Sequence, residues 1–424
     1  MLPSWPPILW STAPRWEARD RFWVCCDSQK VMPLLRLLGF NGRDAGQEGF
    51  PDAEERYMKI QAMVVHEKNG PYRLEEVELD EPKAHEVLIR NYATGICHTD
   101  EFGRSQGVPI ALPLVLGHEG AGIVEKVGSA VTDLKPGDHV GVTYAFDGIC
   151  PACRNHEPYY CRNFNQINFG GVATDMTTRL HQNGRPVSMF FGQSSFATYL
   201  VANAQSDAKV DDEVDLGLVA PLGCGIQTGA GAMLNVAKVD ETSQVAVFGC
   251  GAVGMSAIMG AAVAGAKTII AVGGNPKSLE LALELGATHT INRKEVEDVP
   301  EAVHAIVPEG VDVTVDTSGN QYMMVNALRS LRYHGTFLPV AAAGVIDHFD
   351  VGGDVMMPMR TMKGTCEGES DPKTFIPQMV KWYKEGRFPV DRIISFYDFK
   401  DIDQALADSN AGKIIKAVLR IPQD

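Results

Sequence analysis

The chain reads Gln244-Val-Ala-Val-Phe-Gly-Cys-Gly-Ala-Val-Gly254 at the point where a strand pattern turns into a helix pattern. Gly249 permits a tight turn, Gly251 lets a pyrophosphate approach the backbone, and Gly254 lets the helix pack on the strand. Free N–H groups at the start of that helix favour an anion. The stretch therefore predicts a dinucleotide-binding Rossmann unit in an α/β fold; the alternative is a glycine turn without a ligand.

The pattern of apolar residues changes on either side of this stretch. From residue 58 to about 224, short apolar runs are separated by Gly and Pro, which predicts a mostly-β unit with irregular loops. From residue 243, strand patterns alternate with helix patterns, which predicts a doubly wound parallel sheet. A helix and a final strand follow. We predict a nucleotide domain at 226–365 that is inserted into a catalytic domain formed by 58–225 and 366–424.

Composition excludes several classes of function. The 424 residues carry a formal net charge of -15, and a nucleic-acid surface would need clustered Lys and Arg. No run of about 18 uncharged apolar residues occurs, so we expect no membrane span. Residues 1–57 hold four of the five Trp without sustained periodicity. We interpret them as an appended tail, with a targeting element as the alternative, and expect a cytoplasmic protein.

A cysteine-rich lobe predicts a bound metal ion. Cys150 and Cys153 are separated by two residues, and a further seven residues separate Cys153 from Cys161. This spacing places two thiolates on one tight turn and brings a third back toward them, as in closed structural zinc sites. The alternative is a set of buried free thiols, since disulfides are rare in cytosolic proteins.

The residues after the second strand of the nucleotide domain bear on the choice of cofactor. They read Val272-Gly-Gly-Asn-Pro-Lys277, where an NAD-binding protein usually carries an acid that binds the ribose 2′-hydroxyl. With Gly273 in place of that acid, Asn275 and Lys277 are available for a 2′-phosphate. We predict a preference for NADP(H). The alternative is that Lys277 is a solvated residue and that NAD(H) is accepted as well.

Residues 58–424 resemble the zinc-dependent medium-chain alcohol dehydrogenases, and in detail the aryl (benzyl) alcohol dehydrogenase branch. Beside the glycine turn, the resemblance is carried by five short segments: Cys97-His-Thr-Asp100, Pro113-Leu-Val-Leu-Gly-His-Glu-Gly-Ala-Gly122, Phe190-Phe-Gly-Gln-Ser-Ser-Phe-Ala-Thr-Tyr199, Phe375-Ile-Pro377 and Phe388-Pro389. It implies a mostly-β, irregular GroES-like catalytic domain with an inserted Rossmann domain.

The resemblance also implies the roles of individual residues. Cys97, His118 and Cys224 would bind a catalytic zinc ion and leave a fourth position for water or substrate oxygen. Thr99 would take the alcohol proton, Asp100 would hold the histidine ligand, and Glu119 would lie behind the zinc. His98 and Lys416 would contact the cofactor.

Two residues depart from the family pattern. Asp147 stands where most relatives have the first structural cysteine, and a carboxylate oxygen can take that ligand position. We therefore expect four structural ligands and two zinc ions per chain. Phe102 stands where many relatives have the histidine that ends a proton relay, so the proton would leave through Thr99, the cofactor ribose and water. Phe102 either reaches the substrate pocket or packs in the core.

We expect an enzyme that interconverts an aromatic or bulky primary alcohol and its aldehyde, chiefly in the direction of aldehyde reduction. One alternative is an NAD-dependent formaldehyde or aliphatic alcohol dehydrogenase of the same fold. Another is a nucleotide-binding protein without catalysis, which the presence of Cys97, His118, Cys224 and Thr99 disfavours. We expect a homo-oligomer, a dimer or a tetramer, and a small-molecule alcohol or aldehyde as the partner.

Overall fold

The computed structural model describes residues 57–341, 345–346 and 349–423. Apart from Tyr57, the predicted tail at residues 1–57 lies outside this part of the chain. The strands are, in chain order, β1 (Tyr57–Val65), β2 (Arg73–Asp80), β3 (Glu86–Gly95), β4 (Leu114–Val115), β5 (Gly120–Val127), β6 (His139–Val142), β7 (Leu180–Gln182), β8 (Arg185–Val187), β9 (Tyr199–Asn203), β10 (Asp207–Lys209), β11 (Gln244–Phe248), β12 (Thr268–Gly273), β13 (His289–Asn292), β14 (Val311–Asp316), β15 (Leu331–Pro339), β16 (Thr361–Met362), β17 (Ile394–Asp398) and β18 (Lys416–Arg420).

The α-helices are interleaved with these strands and are longest in the second half of the chain. They are α1 (His98–Arg104), α2 (Pro151–Arg154), α3 (Phe164–Phe169), α4 (Leu216–Val219), α5 (Gly225–Gly231), α6 (Ala252–Val263), α7 (Pro276–Glu284), α8 (Val299–Ile306), α9 (Gln321–Arg329), α10 (Pro372–Lys384) and α11 (Ile402–Asn410).

Two sheets form the mostly-β part. One has the order β4-β1-β2-β7-β8, and the other has the order β10-β6-β5-β3-β18-β17, with β9 also paired to β3. The apolar runs at 86–90, 122–127 and 138–142 lie in or at the edge of β3, β5 and β6, as the sequence predicts. The many short strands and the long loops between them agree with the frequent Gly and Pro residues in this part of the sequence.

The parallel sheet has the order β13-β12-β11-β14-β15-β16. Alternate residues of its central strand enter different cores: Val245 and Val247 pack with α6, whereas Ala246 and Phe248 pack with the residues of α8 and α9. Helices therefore cover both faces, which explains why β11 is a continuous buried run. The predicted doubly wound sheet is confirmed.

The chain returns to the mostly-β part after the parallel sheet. Strand β18 pairs with β3, with Val418 opposite Gly95 and Leu419 opposite Thr94, so residues from both ends of the described chain share one sheet. The parallel sheet lies between them in sequence, as an insertion. The exact domain boundaries at 225/226 and 365/366 remain predictions.

Within the described residues, no single helix has the length and apolar composition needed to cross a membrane. The helical segments 216–223 and 225–236 reach that length and apolar composition only when they are taken as a pair, and they are bent by 64° relative to each other.

Candidate active site

Three predicted metal ligands from distant parts of the chain meet in the structure. Cys97 precedes α1, His118 lies in the turn between β4 and β5, and Cys224 precedes α5. Their ligand atoms, together with a carboxylate oxygen of Glu119, all lie within 4.8 Å of one another. His118 and Cys224 are buried, and Cys97 is partly exposed. The fold thus assembles two thiols and one imidazole at one point, with one side open.

The histidine shows directly that this cluster fits a metal ion. Nδ1 of His118 lies 2.8 Å from Oδ1 of Asp100, while its Nε2 is buried with no hydrogen-bond partner among the described residues. An imidazole that donates from Nδ1 to a carboxylate leaves a lone pair at Nε2, which is the usual state of a metal-bound histidine. Two sulfurs and this nitrogen suit zinc, with a fourth coordination position left for another ligand.

Asp100 orients two of the three ligands. Its Oδ1 accepts from the backbone N–H of Gly117 at 3.0 Å as well as facing His118, and its Oδ2 accepts from the N–H of Cys97 at 3.0 Å. The side chain is fully buried. One carboxylate therefore contacts both the histidine ring and the turn that carries Cys97.

The surroundings of the cluster favour a thiolate at Cys97, whereas the hydrogen bond to Cys97 and burial raise the pKa of Cys224. Hydrogen bonding from Cys224, aided by His118 and Lys416, holds the pKa of Cys97 well below its usual range despite burial. Burial raises the pKa of Glu119 to about 7, although the ammonium group of Lys416 opposes this. A lowered thiol pKa supplies the deprotonated sulfur that a metal ion requires.

Lys416 forms a buried ion pair that the sequence does not predict. Its Nζ lies 2.6 Å from Oε2 and 2.7 Å from Oε1 of Glu119, and it donates to the carbonyl of Ile96 at 2.9 Å. Both partners of this ion pair are buried. Lys416 also lines a cavity beside the cluster, but its charge is balanced by Glu119, so it supports the metal cluster as well as the cavity wall.

Thr99 and Phe102 lie on the helix that begins after Cys97. Oγ1 of Thr99 lies 3.7 Å from Sγ of Cys97, and Thr99 is partly exposed. The Phe102 side chain is 44% exposed, and its ring lies against Gly107. Phe102 is therefore not a core residue, and it is absent from the described residues that line the main cavity.

Aromatic rings surround the histidine ligand. The ring of His118 lies 4.7 Å from that of Phe191 and 5.6 Å from that of Phe190, measured between centroids. Phe169 packs edge-on against both phenylalanines, and Phe164 packs edge-on against Phe191. The metal cluster is thus bounded on one side by a continuous apolar, aromatic wall.

A cavity of about 380 Å³ connects the metal cluster to the glycine turn. Gly249 has φ +104°, which favours glycine, and a Cβ at Gly254 would lie 1.9 Å from the carbonyl oxygen of Gly249. A Cβ at Gly251, in contrast, meets no atom within 4 Å and faces open space. The turn therefore has the form that a pyrophosphate requires, with close helix packing on one side and free backbone on the other.

The cavity contains most of the predicted cofactor residues. Those that line it are His98, Gly249, Gly251, Gly273, Asn275 and Lys416, while Gly254 lies behind the turn. Lys277 is exposed on the first turn of α7 and is absent from the described lining residues. Ser278 and Arg293, which sequence reasoning missed, do line the cavity. Arg293 follows the neighbouring strand β13, so only the strand order of the parallel sheet could have indicated it.

The cysteine-rich lobe forms a second cluster. The ligand atoms of Asp147, Cys150, Cys153 and Cys161 lie within 4.8 Å of one another, and Sγ of Cys150 lies 3.5 Å from Sγ of Cys153. Two sulfurs on one tetrahedral zinc ion are separated by roughly 3.8 Å, given a zinc–sulfur bond of about 2.3 Å. All five cysteine residues of the two clusters are free thiols, as are Cys250 and Cys366.

Asp147 is held as a charged group in this lobe. Its Oδ1 accepts from the N–H groups of Ile149 and Cys150 at 2.9 and 2.8 Å, and its Oδ2 accepts from Nδ2 of Asn163 at 2.8 Å. Desolvation raises its pKa, but the backbone and side-chain hydrogen bonds outweigh this and lower the pKa to about 2. A charged carboxylate with a lone pair to spare beside three sulfurs fits a metal ion.

Comparisons with known proteins agree with this geometry. Residues 83–212 match the alcohol dehydrogenase GroES-like domain family, and residues 252–385 match the zinc-binding dehydrogenase family. Geraniol dehydrogenase of Castellaniella defragrans is 40% identical over 86% of this chain and 98% of its own length. S-(hydroxymethyl)glutathione dehydrogenase of Haemophilus influenzae is 35% identical over 85% and 97%. The crystal structure of benzyl alcohol dehydrogenase from Acinetobacter calcoaceticus superimposes with a TM-score of 0.82, at 40% identity over 86% of this chain and 100% of that one.

Proposed function

Because the chain belongs to the zinc-dependent medium-chain alcohol dehydrogenase family, we propose that it reduces an aromatic or similarly bulky aldehyde to its primary alcohol, with NADP(H) as the preferred cofactor. The observation that carries the substrate class is the 40% identity to geraniol dehydrogenase and to benzyl alcohol dehydrogenase, both named for primary alcohols with a bulky apolar group. Phe190 and Phe191 are buried and pack on the ring of His118, so they form a wall behind the metal cluster and do not line the described cavity.

The residues of the metal cluster have distinct parts in this reaction. Cys97, His118 and Cys224 would hold the zinc ion, which acts as a Lewis acid on the substrate oxygen. Asp100 keeps His118 in the tautomer that presents Nε2. The Thr99 hydroxyl exchanges a proton with the substrate oxygen, and since Phe102 carries no titratable group, that proton must reach solvent by another path.

The cofactor preference rests on the ribose end of the cavity. Gly273 and Gly274 provide no carboxylate that would bind a 2′-hydroxyl or repel a 2′-phosphate. NADPH is mostly kept reduced in cells, so an enzyme that prefers it operates mainly toward aldehyde reduction. We also retain as proposals a cytoplasmic location, a homo-oligomeric state, and two zinc ions per chain.

A second candidate is an NAD-dependent formaldehyde dehydrogenase. The 35% identity to S-(hydroxymethyl)glutathione dehydrogenase favours it. A nucleotide-binding protein without catalysis is the third candidate, and the orphaned Nε2 of His118 among two thiols opposes it, because such a protein has no need of an open metal site.

Steady-state kinetics on zinc-loaded protein separates these candidates. We expect the highest kcat/KM for benzaldehyde reduction with NADPH. A higher value for S-(hydroxymethyl)glutathione oxidation with NAD would replace our proposal by the second candidate, and a lack of turnover on either substrate would favour the third. The Cys97→Ser variant is the matched control, since any turnover that it retains does not come from the metal cluster.

A further inference from the structure

The ribose end of the cavity contains a positive charge that has no partner among the described residues. Arg293 lines the cavity beside Gly273, Gly274 and Ser278. A Cβ built on Gly274 would lie 3.1 Å from Nε of Arg293 and 3.2 Å from Cε of Lys294, so both basic side chains lie against this glycine. In the part of the chain that the structure describes, neither basic group has a hydrogen bond or an ion pair with another side chain.

The backbone fixes where Arg293 stands. Strands β12 and β13 are parallel, with Gly273 opposite Asn292, and the N–H of Arg293 donates to the carbonyl of Gly273 at 2.9 Å. Arg293 is thus the first residue after the edge strand β13. It lies beside the end of β12, the strand that precedes the ribose site. The nearby carboxylate of Glu295 accepts from the side chain of Asn292, not from Arg293.

The other basic candidate lies elsewhere. Lys277 is exposed on the first turn of α7, outside the cavity lining, and its N–H is bound by the side chain of Asn275, which caps that helix. Ser278, one residue further on, does line the cavity, to which it contributes a hydroxyl group. Of the two residues that the sequence suggests for a phosphate, only Asn275 faces the cavity.

We propose that Arg293 is the residue that selects NADP(H), by binding the ribose 2′-phosphate with its guanidinium group. This inference rests on the proposed NADP(H) preference and names the residue that produces it. A guanidinium group can donate two parallel hydrogen bonds to phosphate oxygens, and no carboxylate in the described part of the chain pairs with that of Arg293. Gly274 leaves the space through which the guanidinium group and the phosphate meet.

Calorimetric binding to the zinc-loaded protein tests this without any need for turnover. The ligands are NADPH, NADH, 2′,5′-ADP and 5′-AMP, so that each pair differs by one phosphate. In Arg293→Gln we expect Kd to rise about tenfold or more for NADPH and 2′,5′-ADP, and by less than about twofold for NADH and 5′-AMP, because a lost hydrogen bond to a charged group has at least that effect. Arg293→Lys should recover part of the loss, and Lys277→Gln, the matched control, should change none of the four.

The outcomes separate this inference from the proposed cofactor preference. If the wild type binds NADPH more tightly than NADH and Arg293→Gln keeps that difference, the assignment of Arg293 is overturned and the preference stands. If Arg293→Gln weakens all four ligands equally, Arg293 binds a part that they share, and the assignment is again overturned. If the wild type binds NADPH and NADH equally while Arg293→Gln weakens only NADPH, Arg293 binds the 2′-phosphate as proposed, but both the preference and the selecting role of Arg293 fall. Arg293 is exposed, so the variant should keep the wild-type Tm.

Discussion

The two metal-ligand clusters of this chain are built in opposite ways. The first takes Cys97, His118 and Cys224 from three separate turns, each fixed by a different strand or helix, and it is buried except on the side that faces the cavity. The second takes its four ligands from the single run 147–161 at the surface, where Ile149 is 67% exposed. The first cluster needs the folded domain to bring its ligands together, whereas the second would hold a single surface loop in place through its metal ion.

This difference extends to the residues that support the ligands. His118 is held by Asp100, which is buried and also binds the backbone of two neighbouring turns. Asp147 is itself a candidate ligand and is held by backbone N–H groups of its own loop and by Asn163. Loss of metal from the first cluster should therefore abolish reactivity and leave the fold, while loss from the second should loosen the loop and leave the reactive residues in place.

Removal of a ligand from the first cluster should have the largest effect. Cys97→Ser replaces the thiolate by a hydroxyl that is far less acidic and binds zinc weakly, so we expect turnover to be lost, a larger change than the 10–100-fold typical of outer partners. Metal analysis should give about one zinc ion per chain instead of two. Two zinc ions in this variant would show that Cys97 is not needed to retain the metal.

Asp100→Asn tests the support of the first cluster. The asparagine keeps the shape but replaces one carboxylate oxygen by an amide donor, which must then face either the N–H of Cys97 or that of His118 and Gly117. We expect metal affinity at this site, or kcat/KM, to fall about 10–100-fold. Competition with a chelator measures the affinity. Unchanged values for both quantities would mean that Asp100 does not orient the ligands.

The two clusters also differ in how far the sequence determines them. The lobe ligands are close in sequence, so the spacing of Cys150, Cys153 and Cys161 predicts a site without knowledge of the fold. The ligands of the first cluster have no such spacing, and the resemblance to a family was needed to group them. The nucleotide site shows the same contrast. The sequence at Gly249–Gly254 predicts the glycine turn, whereas it does not predict that Arg293 lines the cavity.

Contacts across the sheet were beyond sequence reasoning. The pairing of Lys416 with Glu119 joins two residues far apart in the chain, and it depends on β18 returning to the sheet of β3. The placement of Arg293 depends on the register of β12 and β13. The exposure of Phe102 depends on how α1 packs against the rest of the domain. Composition and periodicity give no information on contacts between residues that are far apart in the chain.

Asp147→Ala should separate stability from chemistry. The variant removes a charged ligand and leaves two backbone N–H groups without an acceptor, so we expect loss of the lobe zinc and a lower Tm, with kcat/KM at 25 °C within about twofold of the wild type. Metal analysis and thermal unfolding measure the two effects. Asp147→Cys, which restores the usual family ligand, should recover both. Two zinc ions in Asp147→Ala would remove Asp147 from the set of ligands.

The smallest effect is expected from Asn163→Ala, the counterpart of Asp100→Asn in the lobe. Nδ2 of Asn163 donates to Oδ2 of Asp147 at 2.8 Å, and removing it leaves the two backbone N–H groups that bind Oδ1. Because one of three hydrogen bonds is lost, we expect the lobe to release zinc to a chelator about tenfold more readily, at the lower end of the range for outer partners, with no change in kcat/KM. The support of Asp147 is shared between two backbone groups and one side chain, whereas the single side chain of Asp100 orients two ligands of the first cluster. An effect of Asn163→Ala as large as that of Asp100→Asn would therefore contradict the distinction between a fold-dependent site and a loop-organising site.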